Sequence, residues 1–373
     1  MARLWIFPSG LLAVLCVSIW IPQAPSAPAP VVRRPKVELV FVVDTTGSMS
    51  LVEPMKQKIY SICNLILSAK PAPELRVGLL AFKDRDTPGT KEEYLTKPFD
   101  LRDHFDEVFA EFKTYTATGG GDTPEAVNEA LDHAIHKLSW SKDRRTIKLL
   151  FLIGDAPPHM DYPDDVKYPI TCKKAQELGI TIHSIQVGND RDCEEHFAAI
   201  AKLGGGDHLK VPSSGGFKTW ATEHDSKIRD LGLELFRTAL PFGEGIAREQ
   251  ANKELNALAN LSGEALIDRI CIASKRSRLG PNDLLDAVQA GRVRLRELKE
   301  ESLPEALRRL DPAQRETHLE RLAEQRTRLY QAIVPLDRAR TADVLKQMEQ
   351  NPTGLDVNVM SSFRKQAAKV LKY

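Results

Sequence analysis

Apolar residues along this chain follow two alternating rhythms. Residues 37–43 (VELVFVV), 75–82 (LRVGLLAF), 146–153 (TIKLLFLI) and 180–187 (ITIHSIQV) are short runs, apolar at half or more of their positions. Residues 93–99 and 207–211 are weaker runs of the same kind. Between them the apolar spacing changes to that of a helix. Met55, Ile59, Ile62 and Ile66 share one helical face, and Phe105, Val108, Phe109 and Phe112 share another. Further helices are predicted at 123–138, with Pro124 in its first turn, through CKKAQEL, through CEEHFAAIAKL, and over about 216–238. Strands apolar on both faces, alternating with helices, predict a doubly wound, mainly parallel α/β sheet covered on both sides.

From residue 241 the rhythm is helical only, which predicts an α-helical C-terminal region over 241–373. Ser302 with Glu305, and Asp311 with Pro312 and Gln314, look like helix starts. Pro335 is expected to end the helix that begins at Pro312, and a new one to run from Thr341 to just before Pro352. The charges of this region read as a solvated face.

Composition adds limits. The chain has 373 residues, 42% hydrophobic and 28% charged, with a formal net charge of +1. That is a globular composition, and it offers no electrostatic reason to expect nucleic acid or an acidic membrane as partner. At the N-terminus, Arg3, the apolar stretch 11–21 and the small residues Ala24 and Ser26 predict a signal peptide over 1–26. Residues 27–36 then read as a Pro/Ala-rich linker, and 37–240 as the α/β domain. The expected location is therefore periplasmic or secreted, with membrane attachment only if the signal stays uncleaved. Export implies an oxidising compartment. Four cysteines remain after cleavage, which permits three full pairings. Cys172 and Cys193 both fall at the carboxyl edge of the sheet, and a disulfide is expected there.

The candidate chemistry sits at strand ends. The run at 37–43 stops at Asp44 and gives way to hydroxyls, with Thr46 and Ser48 at alternate positions. The loop TATGGGDTPE supplies Thr123, and the run at 146–153 leads to Asp155. In such sheets ligands bind at the carboxyl ends of strands, where strand order reverses. Two carboxylates and three hydroxyls form a set of hard oxygen donors without Cys or His, which disfavours zinc and copper. Magnesium takes six oxygens and keeps several waters. An open vertex on such an ion calls for an anionic partner, most simply a carboxylate.

FVVDTTGSMS, GGGDTPEA and FLIGDAPPH together resemble the three segments of the metal-ion-dependent adhesion site of von Willebrand factor A (VWA) domains, in their order along the chain. The resemblance covers roughly 37–235. It implies a Rossmann-like VWA fold and one divalent cation, Mg2+ or alternatively Mn2+ or Ca2+. Thr46, Ser48 and in some states Thr123 would then bind the ion directly, while Asp44 and Asp155 act mostly through water. Thr46 stands where the family pattern has Ser, which keeps the hydroxyl and adds a methyl. The implied function is non-enzymatic: metal-dependent binding of a protein partner through that partner's Asp or Glu. An architectural role carried by the helical tail is the alternative. DTTGS also resembles the phosphorylated-aspartate motif of haloacid dehalogenase-like enzymes, with Asp44 as nucleophile. Position 159, however, is His where those relatives carry Asp. His159, Asp161, Asp164 and Asp165 are expected to rim the site. The glycines at 119–121 are expected to let Thr123 approach the ion.

Overall fold

The computed structural model describes residues 34–86, 91–245, 248–249, 251–253, 261 and 263–373. The expected signal peptide, Cys16 and most of the linker lie outside these residues. Six strands form one sheet: β1 (Lys36–Asp44), β2 (Glu74–Phe82), β3 (Thr96–Arg102), β4 (Ile147–Gly154), β5 (Ile180–Val187) and β6 (Gly205–Val211). Their spatial order is β3-β2-β1-β4-β5-β6, and only β3 is antiparallel to its neighbour. The chain thus winds outward one way from β1 and then returns to start β4 on β1's other side. The switch point, where a doubly wound sheet opens its binding crevice, lies between β1 and β4.

The strands bury both faces, as their composition requires. Along β1, Leu39, Phe41 and Val43 enter one core while Val40 and Val42 enter the other, the two-residue alternation of a pleated strand. One face is covered by α1 (Val52–Lys56), α2 (Ile59–Leu67), α3 (Phe105–Lys113) and α7 (Asp225–Phe236); the other by α4 (Val127–His136), α5 (Tyr168–Glu177) and α6 (Arg191–Gly204). α6 ends where Gly205 takes φ +73°, and β6 starts at that residue, so the second glycine run turns helix into strand as its sequence suggests.

After residue 240 the chain forms α8 (Gly263–Arg276), α9 (Leu284–Gln289), α10 (Glu305–Arg308), α11 (Pro312–Gln350) and α12 (Leu355–Ala367). This helical region is an integral layer. Ile270 of α8, Ile333 of α11 and Phe363 of α12 belong to the same core as Leu39 and Phe41. Its charges are also less solvated than expected. Arg340 is 1% exposed and meets Asp268 at 2.7 Å and Asp225 at 2.9 Å. Asp268 in turn accepts hydrogen bonds from Ser61 and Asn64 of α2. Arg269 pairs with Asp106 of α3, and Lys58 with Glu264 and Asp356.

Several local expectations change. Pro335 does not end a helix; α11 runs 39 residues through it. An interior proline costs about 3 kcal/mol. Here ion pairs clamp both halves: Arg326 to Asp283 before it, and Asp337 to Lys275 after it. Asp311 does close a capping box with Gln314. Ser302 is not a cap, because its hydroxyl donates to Glu244 and α10 starts behind Pro304. α7 starts at Asp225 and not near 216. α4 starts at Val127 because Glu125 pairs its backbone with the 157–159 segment. The expected Cys172–Cys193 bridge is absent: both are buried free thiols in the core between the sheet, α5 and α6. Cys172 donates weakly to the Ile200 carbonyl, and burial pushes its thiol up to about 12. No helix among the described residues is long and apolar enough to cross a membrane.

Candidate functional site

Asp44 is the last residue of β1, on one side of the switch point, and Asp155 follows β4 on the other. Strand register brings them together, since Val43 lies opposite Ile153. Gly154 permits the approach: a Cβ there would stand 3.3 Å from both Cβ and Oδ2 of Asp44.

The turn after β1 wraps the Asp44 carboxylate. Thr46 donates to Asp44 Oδ1 from its backbone N–H at 2.8 Å and from its hydroxyl at 2.7 Å. The Thr46 and Ser48 hydroxyls are 3.2 Å apart, and Ser48 donates to Asp155 Oδ1 at 3.0 Å. Four of the five expected residues therefore form one chain of oxygen atoms, deep at Asp44 and Thr46 and open to solvent at Ser48. Thr123 is the exception. It is exposed, and among the described residues no hydrogen bond ties it to this cluster.

The glycines at 119–121 bring their loop against the turn after β1. Gly47 donates to the Gly119 carbonyl at 2.9 Å, and Thr118 to the Thr45 carbonyl at 3.1 Å. Gly120 has φ +79°, and a Cβ on it would stand 2.8 Å from Thr46 Cβ. The glycines let this loop lie directly against the turn that carries Thr46.

The electrostatics are unfavourable without a cation. Asp44 is 0% exposed, and burial together with the nearby Asp155 charge pushes its carboxyl up to about 7. Burial also raises Asp155. Glu125 is pushed up to about 9 by burial and then by Asp44 and Asp84. Asp44 Oδ2 and Glu125 Oε2 are buried with no hydrogen-bond partner among the described residues. Lys83 is buried close by and favours ionised Asp44, but its ammonium is committed elsewhere. It donates to Thr45 O, Thr118 O and Thr118 Oγ1, and lies 3.5 Å from Glu92. An orphaned carboxylate oxygen, two hydroxyls whose oxygens keep acceptor lone pairs while they donate to the carboxylates, and a second carboxylate are an oxygen donor set that fits a hard divalent ion.

Glu125, Lys83 and Asp84 were not singled out from sequence. Their signal was present: β2 runs into KDRD at the same edge where β1 runs into Asp44. His159, Asp161, Asp164 and Asp165 do not rim the Asp44 cluster as a set. His159 is buried beside Asp84, and Asp164 and Asp165 pair with Arg85 at 2.9 and 2.5 Å.

A doubly wound sheet with an acidic, hydroxyl-rich turn at its switch point defines an α/β binding domain. Residues 38–215 match the family model for the von Willebrand factor type A domain. Among solved structures, proximal thread matrix protein 1 from the mussel byssus, described with a zinc occupied MIDAS motif, is 17% identical. The match covers 48% of this chain and 42% of that one, with a TM-score of 0.37. A second crystal form of the same mussel protein gives 15% identity, 48% and 43% coverage and a TM-score of 0.37. The SpRpn10 VWA domain gives 14% identity, 48% and 88% coverage and a TM-score of 0.36. The chain thus spans less than half the length of the mussel chains. No curated protein matches it.

Proposed function

We propose that this protein is a metal-dependent protein-binding module. One divalent cation, magnesium or alternatively manganese or calcium, is held by Asp44, Thr46, Ser48 and Asp155. Thr123 joins when a partner binds, and an Asp or Glu of that partner fills the open vertex. The observation that carries this reading is the Asp44 carboxylate: fully buried, facing a second carboxylate, with Oδ2 unpartnered among the described residues. Two buried like charges oppose each other's ionisation, and a divalent cation reverses the sign of that interaction. The family model that residues 38–215 match points the same way. Export through a cleaved segment at 1–26 belongs to the same proposal.

The test is a pulldown from extract of the producing cells, with and without EDTA, on wild type and Asp44→Ala. A partner retained by wild type with magnesium, and lost with EDTA or in Asp44→Ala, is the expected result. A partner retained in all four conditions places binding elsewhere and favours assembly through the helical region.

A further inference from the structure

At the same edge of the sheet lies a second cluster that the adhesion site does not use. Asp84 follows β2, Asp122 sits in the glycine loop, and His159 follows β4. One ligand atom from each lies within 4.8 Å of the others. We propose that these three residues form a second metal site, of mixed nitrogen and oxygen character, selective for a transition-metal ion such as zinc.

The histidine carries the argument. His159 is 4% exposed and Asp84 is 0% exposed. His159 Nδ1 lies 2.8 Å from Asp161 Oδ1, an acceptor that holds the ring proton on Nδ1 and leaves Nε2 with its lone pair free. Nε2 is buried and has no hydrogen-bond partner among the described residues. It points at Asp84 Oδ2 from 3.5 Å, beyond the span of about 2.7–3.2 Å of an N–H···O hydrogen bond. That separation suits two ligands of one ion. Zinc ligands at about 2.0–2.1 Å in a tetrahedron stand about 3.4 Å from each other. Asp122 is exposed, so rotation of its side chain can close the remaining gap. Three protein ligands leave one position for water or for a group from another molecule.

The surroundings fix this geometry. The Tyr162 ring stacks on His159 with centroids 3.9 Å apart and planes 12° apart. Arg85 lies over the other side of the stack, 4.2 Å from the Tyr162 centroid. Asn128 donates to the His159 carbonyl, and His159 N–H donates to Glu125 O at 3.0 Å. A carboxylate behind a histidine that faces a ligand position is the arrangement by which proteins orient imidazole on a metal. Imidazole favours zinc and its neighbours, whereas the all-oxygen set around Asp44 favours magnesium, manganese or calcium. The two sites therefore differ in the ion they select.

Calorimetric titration of zinc into chelator-stripped protein tests this, with circular dichroism to verify folding. Asp44→Ala removes the adhesion site and should still bind one zinc. Adding Asp122→Asn to it should weaken that zinc at least tenfold; Asp122 is exposed, so the fold is not at stake. Asp161→Asn, which touches only the back of the imidazole, should weaken it about 10–100-fold. If folded Asp44→Ala binds no zinc, or binds it equally well after Asp122→Asn, the inference is wrong and His159 is a buried partner of Asp84 only. If wild type and Asp44→Ala bind the same single zinc and magnesium binds neither, the adhesion reading fails while this site stands.

Discussion

Replacing Arg340 with alanine should destabilise the whole molecule. Arg340 comes from α11, its main partner Asp268 from α8, and the other donors to Asp268, Ser61 and Asn64, from α2. Arg340 and Asp268 are each 1% exposed. Removing the guanidinium leaves the Asp268 charge buried with only neutral donors. Loss of one member of a buried pair costs about 3–5 kcal/mol. That is a large part of the roughly 5–15 kcal/mol that holds a typical domain together. Urea unfolding, followed both by far-UV circular dichroism and by tryptophan fluorescence, measures it. Trp220 donates to Asp356 of α12 and so reports on the contact between sheet and tail. The two signals should shift together to lower urea. The double variant Arg340→Met with Asp268→Leu should recover most of the loss, because it removes the orphaned charge with the pair. A loss below about 1 kcal/mol, or a tail transition separate from that of the sheet, would refute the claim that this pair joins one cooperative unit.

The core makes three further predictions. Burial lowers the His183 imidazole to about 4. Its contribution is thus fully present above about pH 6.5 and is lost as pH falls towards 4, by roughly 3 kcal/mol. Urea midpoints between pH 7 and 4 should fall steeply in wild type and less in His183→Gln; equal slopes would exclude His183 as the cause. Gly120→Ala should cost about 1–3 kcal/mol and weaken ion binding, because its Cβ would overlap Thr46. Gly179→Ala, at φ +70° with open space around it, is the control for backbone strain alone, and an equal loss of melting temperature in both would mean that the Thr46 contact is unimportant. A chain cut at residue 240 loses Ile270, Ile333 and Phe363 from the main core. It should give an insoluble or molten fragment; a sharp thermal transition in the fragment would contradict the shared core.

The strands and the helices between them were readable because each buries a regular stripe, and that regularity is local. Residues 180–187 read directly as β5. Asp44 and Asp155 were readable because a buried strand that ends in a carboxylate breaks its own pattern. What could not be read depends on partners distant in sequence. Pro335 stays helical through ion pairs contributed by residues 275 and 283. The charges of α8 and α11 look like a solvated face until α2, α3 and α7 are placed against them. Cys172 and Cys193 share an edge of the sheet, yet both enter the packed core as thiols. His159 follows Asp155 by four residues, but its neighbour is Asp84, brought there by β2.

The central claim is that a hard divalent cation binds at Asp44, Thr46, Ser48 and Asp155. Thermal unfolding of wild type and Asp44→Ala in magnesium and in EDTA, with magnesium calorimetry on both, tests it most directly. Magnesium prefers oxygen ligands and so reads this site and not the histidine cluster. At about a hundredfold over its dissociation constant, the ion should stabilise wild type by roughly 2.7 kcal/mol. Asp44→Ala should fold and show neither the stabilisation nor the heat. A wild type that melts at one temperature in magnesium and in EDTA, with no heat at millimolar ion, would contradict the claim and reduce the hydroxyl cluster to a turn that ties β1 to the glycine loop.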